Sequence, residues 1–210
     1  MIETYTTIRK SGTGEITIQK SRFIGYASPC STEEEALRFI QLIRDRYRDA
    51  RHHCYAYIIG TNSGIMRYSD DGEPGGTAGM PIMAVLKNRK IVNCCVVIVR
   101  YFGGVLLGTG GLVRAYTEGC KIALQASDVV TMELSVALEC VVSYSDWNLL
   151  QYALQKMPVA LDNISYQETV RFTLCARQKD IEEVISSINR ISEGKARWSE
   201  PEEKYVPWPD

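Results

Sequence analysis

A nearly continuous apolar run, residues 91–99, leads directly into a glycine-rich segment at residues 100–116. The run is rich in β-branched side chains, which predicts a central strand buried on both faces. Beyond the glycines, Leu112, Ala115, Tyr116 and Gly119 recur at the spacing of one helix face. The sequence therefore predicts a unit of strand, loop and helix at residues 91–119.

The loop of this unit has the composition of an anion site. Its glycines are Gly103, Gly104, Gly108, Gly110 and Gly111. A glycine-rich loop that enters a helix presents free N–H groups and the positive end of the helix dipole, and Arg100 and Arg114 flank it with charged donors. The spacing matches neither a Walker loop nor the dinucleotide fingerprint. Two interpretations stay open: an anion or nucleic-acid contact, or glycines that only let the helix pack closely on the sheet.

A second dense motif lies at residues 67–81 and carries Asp70, Asp71 and Glu73 among glycines. These carboxylates have the oxygen ligands that Mg²⁺ prefers. Alternatively they satisfy loop N–H groups or cap a helix that begins near Thr77. We favour the role in ordering the loop, and we expect no metal and no cofactor.

The only histidines of the chain, His52 and His53, adjoin Cys54 at the start of a predicted strand. Adjacent residues of one strand cannot all face one metal, and no second Cys/His pair has structural-zinc spacing. The seven cysteines are odd in number and contain no Cys-x-x-Cys pair. They are therefore expected to be buried, reduced thiols.

The chain of 210 residues is long enough for two small domains. We predict strands near 2–10, 14–20 and 23–27, and then a helix with Ser31 as N-cap and Glu34 completing a capping box. From about residue 132 the order β-α-β-β-α-β is that of a ferredoxin-like domain. The predicted fold is α+β, with domains at residues 1–131 and 132–210.

Charge and hydropathy restrict the partners and the location. Residues 1–131 hold 16 Lys and Arg against 12 Asp and Glu, a net +4, whereas residues 132–210 hold 8 against 13, a net −5. A basic first part is compatible with nucleic acid. No apolar run approaches the ~20 residues of a membrane span, and the N-terminus lacks the pattern of a secretory signal. We expect a cytoplasmic protein without a membrane partner.

Residues 70–81 and 100–116 resemble the two signatures of the IMPACT/YigZ family, and residues 53–57 fit the same pattern. The resemblance covers roughly residues 10–128, with weaker motifs in the bacterial two-domain form's C-terminal part. It implies a first domain with the fold shared by a small-subunit ribosomal protein, domain IV of elongation factor G and the GHMP sugar kinases. It implies a second domain like domain V of elongation factor G. Eukaryotic members of the family regulate translation through protein partners, and bacterial-type members are implied to associate with nucleic acid or ribosomes.

The first functional hypothesis is a non-enzymatic, translation-associated regulator that binds RNA or the ribosome through its first domain. Its phosphate-contacting residues would be Arg100, Tyr101, Gly103, Gly104, Gly108, Gly110, Gly111 and Arg114, with His53 in the same site. Tyr55 or Tyr101 would stack on an unpaired base.

Two alternatives belong to other classes. In the first, the protein is a metal-assisted enzyme on a phosphorylated small molecule, with Asp70, Asp71 and Glu73 holding the metal and His53 as general acid or base. In the second, it is an adaptor that binds a protein partner of translational control through its acidic second domain.

Overall fold

The computed structural model describes residues 3–208. The chain folds into two compact domains, one spanning Thr4–Thr131 and the other beginning at residue 132. Each domain contains both helices and sheet, which confirms the predicted α+β class.

The N-terminal domain is built on a five-stranded antiparallel sheet in the order β2-β3-β6-β4-β5. Its elements are β1 (Thr4–Ile8), β2 (Gly12–Ile18), β3 (Ser21–Pro29), α1 (Glu33–Arg46), β4 (His52–Ile59), β5 (Ile65–Ser69), α2 (Gly79–Asn88), β6 (Cys94–Tyr101) and α3 (Gly108–Gln125). The apolar run forms the middle strand, β6, which is buried from Cys94 through Arg100. The prediction of a central strand followed by a loop and a helix is therefore confirmed.

The sheet is covered on both faces because alternate residues of β6 belong to different clusters. Val96 and Ile98 lie in the core that α2 and α3 close, whereas Val97 and Val99 lie in the core under α1. Cys94 and Cys95 divide between the two cores in the same way. All seven cysteines are buried and unbridged, as the sequence predicted.

Two helix starts differ from the prediction. The N-cap of α1 is Thr32, whose Oγ1 accepts from Glu35 N–H, while Glu35 accepts in return from Ser31 N–H. The capping box thus lies one residue later than predicted. Helix α2 begins at Gly79 rather than near Thr77, because Thr77 closes a separate turn by donating to the carbonyl of Pro74.

The C-terminal domain follows the predicted order β-α-β-β-α-β, with the last strand in two pieces. Its elements are β7 (Val129–Val142), α4 (Tyr144–Leu154), β8 (Val159–Tyr166), β9 (Val170–Arg177), α5 (Ile181–Ile191), β10 (Arg197–Trp198) and β11 (Glu202–Pro207). Strand β9 pairs with β7 and β8, and both β10 and β11 pair with β7, all antiparallel. Helix α4 begins at Tyr144, because Ser143 accepts from Asp146 N–H as its N-cap.

No helix within residues 3–208 has the length and apolarity that a membrane crossing requires.

We predict that Gly25→Ala destabilises the N-terminal domain. A Cβ at this position of β3 would lie 2.5 Å from the carbonyl oxygen of Gly119 in α3. Overpacking of this kind typically costs about 1–3 kcal/mol, which urea denaturation would measure. The matched control is Gly75→Ala, because a Cβ there meets nothing within 4 Å. Equal unfolding midpoints for the two variants would contradict the close helix–sheet contact.

Candidate functional site

Glu73 joins the two sequence motifs at a buried polar cluster. Its Oε1 accepts from Nη1 of Arg100 at 2.6 Å and from the hydroxyl of Tyr116 at 2.7 Å. Arg100 lies near the end of β6 and Tyr116 lies on α3, whereas Glu73 precedes α2. The side chains of Arg100 and Glu73 are only 7% and 3% exposed. The cluster therefore links a loop, a strand and a helix that are distant in sequence.

Cys54 of β4 extends this cluster towards the second motif. Its Sγ lies 3.3 Å from the Tyr116 hydroxyl and 3.0 Å from the carbonyl oxygen of Asp70. Burial raises the pKa of the Tyr116 hydroxyl and the pKa of the Cys54 thiol well above their ordinary ranges. Both groups therefore keep their protons near neutral pH, so Tyr116 stays a donor to Glu73 and Cys54 is not a nucleophilic thiolate.

Asp70 orders the turn that leads into α2. Its carboxylate accepts from the backbone N–H groups of Gly76 at 2.8 Å, Ala78 at 3.0 Å and Gly79 at 2.8 Å. These donors lie at the N-terminus of α2, where a negative charge also meets the positive end of the helix dipole. Asp70 thus occupies the position of a helix cap, although it lies well before the helix in sequence.

Asp71 ties the same loop to β4 and to α1. Its carboxylate accepts from the backbone N–H of His53 at 2.7 Å and from Nη2 of Arg44 at 3.1 Å, while its carbonyl accepts from Nδ1 of His52 at 2.9 Å. Asp70, Asp71 and Glu73 are thus engaged by separate sets of donors. In the described part of the chain, no three His, Cys, Asp or Glu side chains are grouped so as to hold a metal ion.

The glycine-rich loop begins tightly packed and then becomes open. A Cβ on Gly103 would lie 2.0 Å from the carbonyl carbon of Lys20, and Gly103 N–H donates to Ser21 at 3.1 Å, so only glycine fits there. Gly104 and Gly108 have φ values of +84° and +68°, with no atom within 4 Å of a built Cβ. Helix α3 then starts at Gly108 without a side-chain cap or an acidic residue in its first turn. Its first N–H groups are therefore available to an anion.

The open part of the loop exposes apolar side chains beside a cation. Phe102 is 55% exposed and Leu106 is 86% exposed, which the sequence analysis did not anticipate. Arg114 is exposed on α3, and its Nη1 lies 3.8 Å from a Cβ built on Gly110. No residue among those described forms a hydrogen bond or ion pair with its guanidinium. Residues 102–114 thus carry exposed aromatic, apolar and cationic side chains.

The buried cluster reaches the surface at a cavity of about 300 Å³. Its lining residues are Asp49, Arg51, His52, Arg100, Tyr101 and Phe102. The guanidinium of Arg100 lies between two rings, 5.4 Å from the centroid of Phe23 and 5.6 Å from that of Phe102. The sequence pattern predicted Arg100 and Tyr101 as site residues, but Arg51, His52 and Phe102 were not predicted to join them. Strand pairing of His52 with Arg100 is what brings them together.

His53 and Tyr55 lie away from this cavity. In β4, side chains alternate between faces, so Cys54 belongs to the core under α2 and α3 while Tyr55 packs in the core under α1. Tyr55 is half-buried and stacks on Tyr57 with 6.1 Å between ring centroids. His53 is buried, with Nε2 3.0 Å from the carbonyl oxygen of Tyr47. The structure therefore places these two residues on the opposite face of the sheet from the buried cluster.

Residues 19–124, which contain both motifs, match the Impact N-terminal domain, and residues 140–195 match a domain of unknown function, DUF1949. The chain is 38% identical to the IMPACT family member YvyE of Bacillus subtilis (strain 168), over 98% of this chain and 95% of that protein. It is 35% identical to the IMPACT family member YigZ of Escherichia coli (strain K12), over 84% of this chain and 88% of that protein. These two relatives match the sequence of both domains, in the same order along the chain. The chain therefore belongs to the IMPACT family.

A solved structure has the same two-domain fold. The crystal structure of a hypothetical protein superimposes with a TM-score of 0.61 and 31% sequence identity, covering 94% of this chain and 97% of that chain.

We predict that Glu73→Gln strongly destabilises the N-terminal domain. The change leaves the Arg100 guanidinium buried without its counter-charge, and breaking a buried pair in this way costs about 3–5 kcal/mol. The control is Glu118→Gln, whose partner Lys121 lies 3.5 Å away with both side chains about half exposed. A solvated pair of this kind contributes at most about 1 kcal/mol. Chemical denaturation measures both changes, and equal losses of stability would contradict the central position of the buried pair.

Proposed function

We propose that this protein is a non-enzymatic, translation-associated regulator that binds RNA or the ribosome through its N-terminal domain in the cytoplasm. The observation that carries the proposal is the surface at the start of α3. There an open glycine loop, a helix N-terminus without a side-chain cap, the exposed ring of Phe102 and the guanidinium of Arg114, which has no partner among residues 3–208, lie on one stretch of chain.

Each of these groups matches a part of single-stranded RNA. Free N–H groups at a helix N-terminus and an arginine both bind phosphate oxygens. An exposed aromatic ring accepts an unpaired base, and every base offers a face for stacking. The net charge of +4 over residues 1–131 adds a long-range attraction to a polyanion. No single group would suffice, and their combination is what favours RNA over a simple anion.

The enzyme alternative has less support from the geometry. It needs Asp70, Asp71 and Glu73 to turn free oxygens towards a common metal. Their carboxylates instead accept from the start of α2, from His53 and Arg44, and from Arg100 and Tyr116, respectively. Using them as metal ligands would disassemble the loop that they hold.

A protein partner of translational control remains part of the proposal through the C-terminal domain. A cavity of about 610 Å³ is lined by residues of α5 and β7, and its lining includes Ile185, Trp198, Glu202 and Glu203. In a domain of net charge −5, this combination suits a segment with apolar and basic side chains.

We predict that the protein co-sediments with ribosomes or single-stranded RNA at low salt and that binding falls as salt rises, because neutralised phosphates release their counterions. Arg114→Ala should weaken binding and reduce the salt slope by about one unit. The control is Arg38→Ala, which removes an exposed arginine of α1 that pairs with Glu34.

The proposed function would be contradicted by binding that does not depend on salt. It would also be contradicted if the protein bound neither ribosomes nor single-stranded RNA. Equal losses for the two arginine variants would move the interface away from the start of α3.

A further inference from the structure

The cavity at the end of β6 has an unusual polar composition for its size. It occupies about 300 Å³ and is lined by three residues with basic side chains and two with aromatic side chains, together with Asp49. The carboxylate of Asp49 is already engaged, because its Oδ1 accepts from the Tyr101 hydroxyl at 2.8 Å. That hydrogen bond leaves the negative charge of Asp49 in place, so the cavity combines two arginines, a histidine and one carboxylate with aromatic walls.

Arg100 has a buried donor without an acceptor among residues 3–208. Its Nη1 donates to Glu73, but its Nε is buried with no acceptor among residues 3–208. The side chain is 7% exposed, and that small exposed part lines the cavity. Buried donors are almost always satisfied, by protein or by ordered water, so this nitrogen beside the cavity is a donor available to an acceptor that enters it.

Arg51 and His52 contribute further polar groups to the cavity. Arg51 is exposed and has no hydrogen-bond or ion-pair partner in the described part of the chain. His52 is oriented by its Nδ1 bond to the carbonyl of Asp71, which leaves Nε2 as the remaining polar atom of its ring. Glu73 balances the charge of Arg100, and Asp49 offsets the charge of Arg51 in the sum, although no carboxylate of residues 3–208 lies within ion-pair distance of the Arg51 guanidinium. The donors left unpaired at the cavity, on Arg51 and on Arg100, are complementary to a ligand that brings anionic acceptors.

We propose that this cavity binds the phosphate monoester of a nucleotide, either free or at the end of a nucleic-acid strand, with the base against the ring of Phe102. The inference rests on the proposed function, since it names the ligand group for the same domain. Arg100 is too deeply placed for an internal phosphodiester, which carries chain on both sides. A terminal phosphate projects from its strand and has three unsubstituted oxygens, enough to meet Arg100 and Arg51 together.

The first experiment measures binding of adenosine 5′-monophosphate, adenosine and inorganic phosphate to the full chain by calorimetry. We expect adenosine 5′-monophosphate to bind more tightly than either fragment, because it engages both the cations and the ring. Arg51→Ala should weaken its binding about tenfold, the effect of one charge-assisted contact. The control Arg38→Ala should bind like the wild type.

A second variant separates the aromatic contact from the ionic one. Phe102→Ala should weaken adenosine 5′-monophosphate by about tenfold or more, since base stacking on an aromatic ring contributes about 1–3 kcal/mol. The same change should leave inorganic phosphate nearly unaffected. Phe102 is exposed, so both variants avoid the stability loss expected for substitutions of Arg100.

The third experiment tests whether the phosphate belongs to a strand end or to a free nucleotide. It compares the binding of three forms of one oligoribonucleotide, which carry a 5′-phosphate, a 3′-phosphate or hydroxyls at both ends. Tighter binding of either phosphorylated end, lost in Arg51→Ala, supports a strand-end site. Tight binding of adenosine 5′-monophosphate without an end effect supports a free nucleotide. Equal binding of adenosine and its monophosphate, or an Arg51→Ala variant that binds like the wild type, would overturn the inference. Salt-sensitive binding of the hydroxyl-ended strand in that case would leave the proposed function intact.

Discussion

The N-terminal domain depends on one buried ion pair, Glu73 with Arg100, completed by the hydroxyl of Tyr116. Charges in a low-dielectric interior are stable only when paired and hydrogen-bonded, so this cluster restricts where its three elements lie. The loop before α2, the end of β6 and the middle of α3 are fixed to one another by a single carboxylate. Both glycine-rich motifs of the family therefore belong to one polar framework.

Within this framework, the charged residues of the two motifs have different roles. The carboxylates of the first motif hold backbone N–H groups and cations within the protein, and they leave the cationic side chains of the surface unneutralised. Arg51 and Arg114 remain free of acidic partners among the residues that the structure describes, one at the cavity and one at the start of α3. The proposed RNA contact lies at the start of α3 and the proposed end-phosphate site lies at the end of β6, and residues 102–107 connect the two in the chain.

Local patterns predicted most of the fold, because burial periodicity and turn residues are encoded within a few positions. They gave the central strand β6, the reduced thiols and the order of elements in the C-terminal domain. They did not predict the ion pair, since Glu73 and Arg100 are 27 residues apart and meet only through tertiary packing. Local patterns also did not predict that the side chains of His53 and Tyr55 in β4 lie on the face of the sheet that α1 covers. Alternation along a strand divides neighbours between faces, but the pairing register decides which face holds Arg100.

The most direct test of this account is an NMR measurement of the Arg100 Nε–Hε group during a titration with adenosine 5′-monophosphate. The account predicts a resonance that is protected from solvent exchange by burial in the free protein and that shifts on saturation, as the missing acceptor arrives. Adenosine at the same concentration should leave the resonance unchanged. If other resonances of the cavity move with the nucleotide while Arg100 Hε does not, Arg100 is a purely structural partner of Glu73 and the phosphate binds elsewhere.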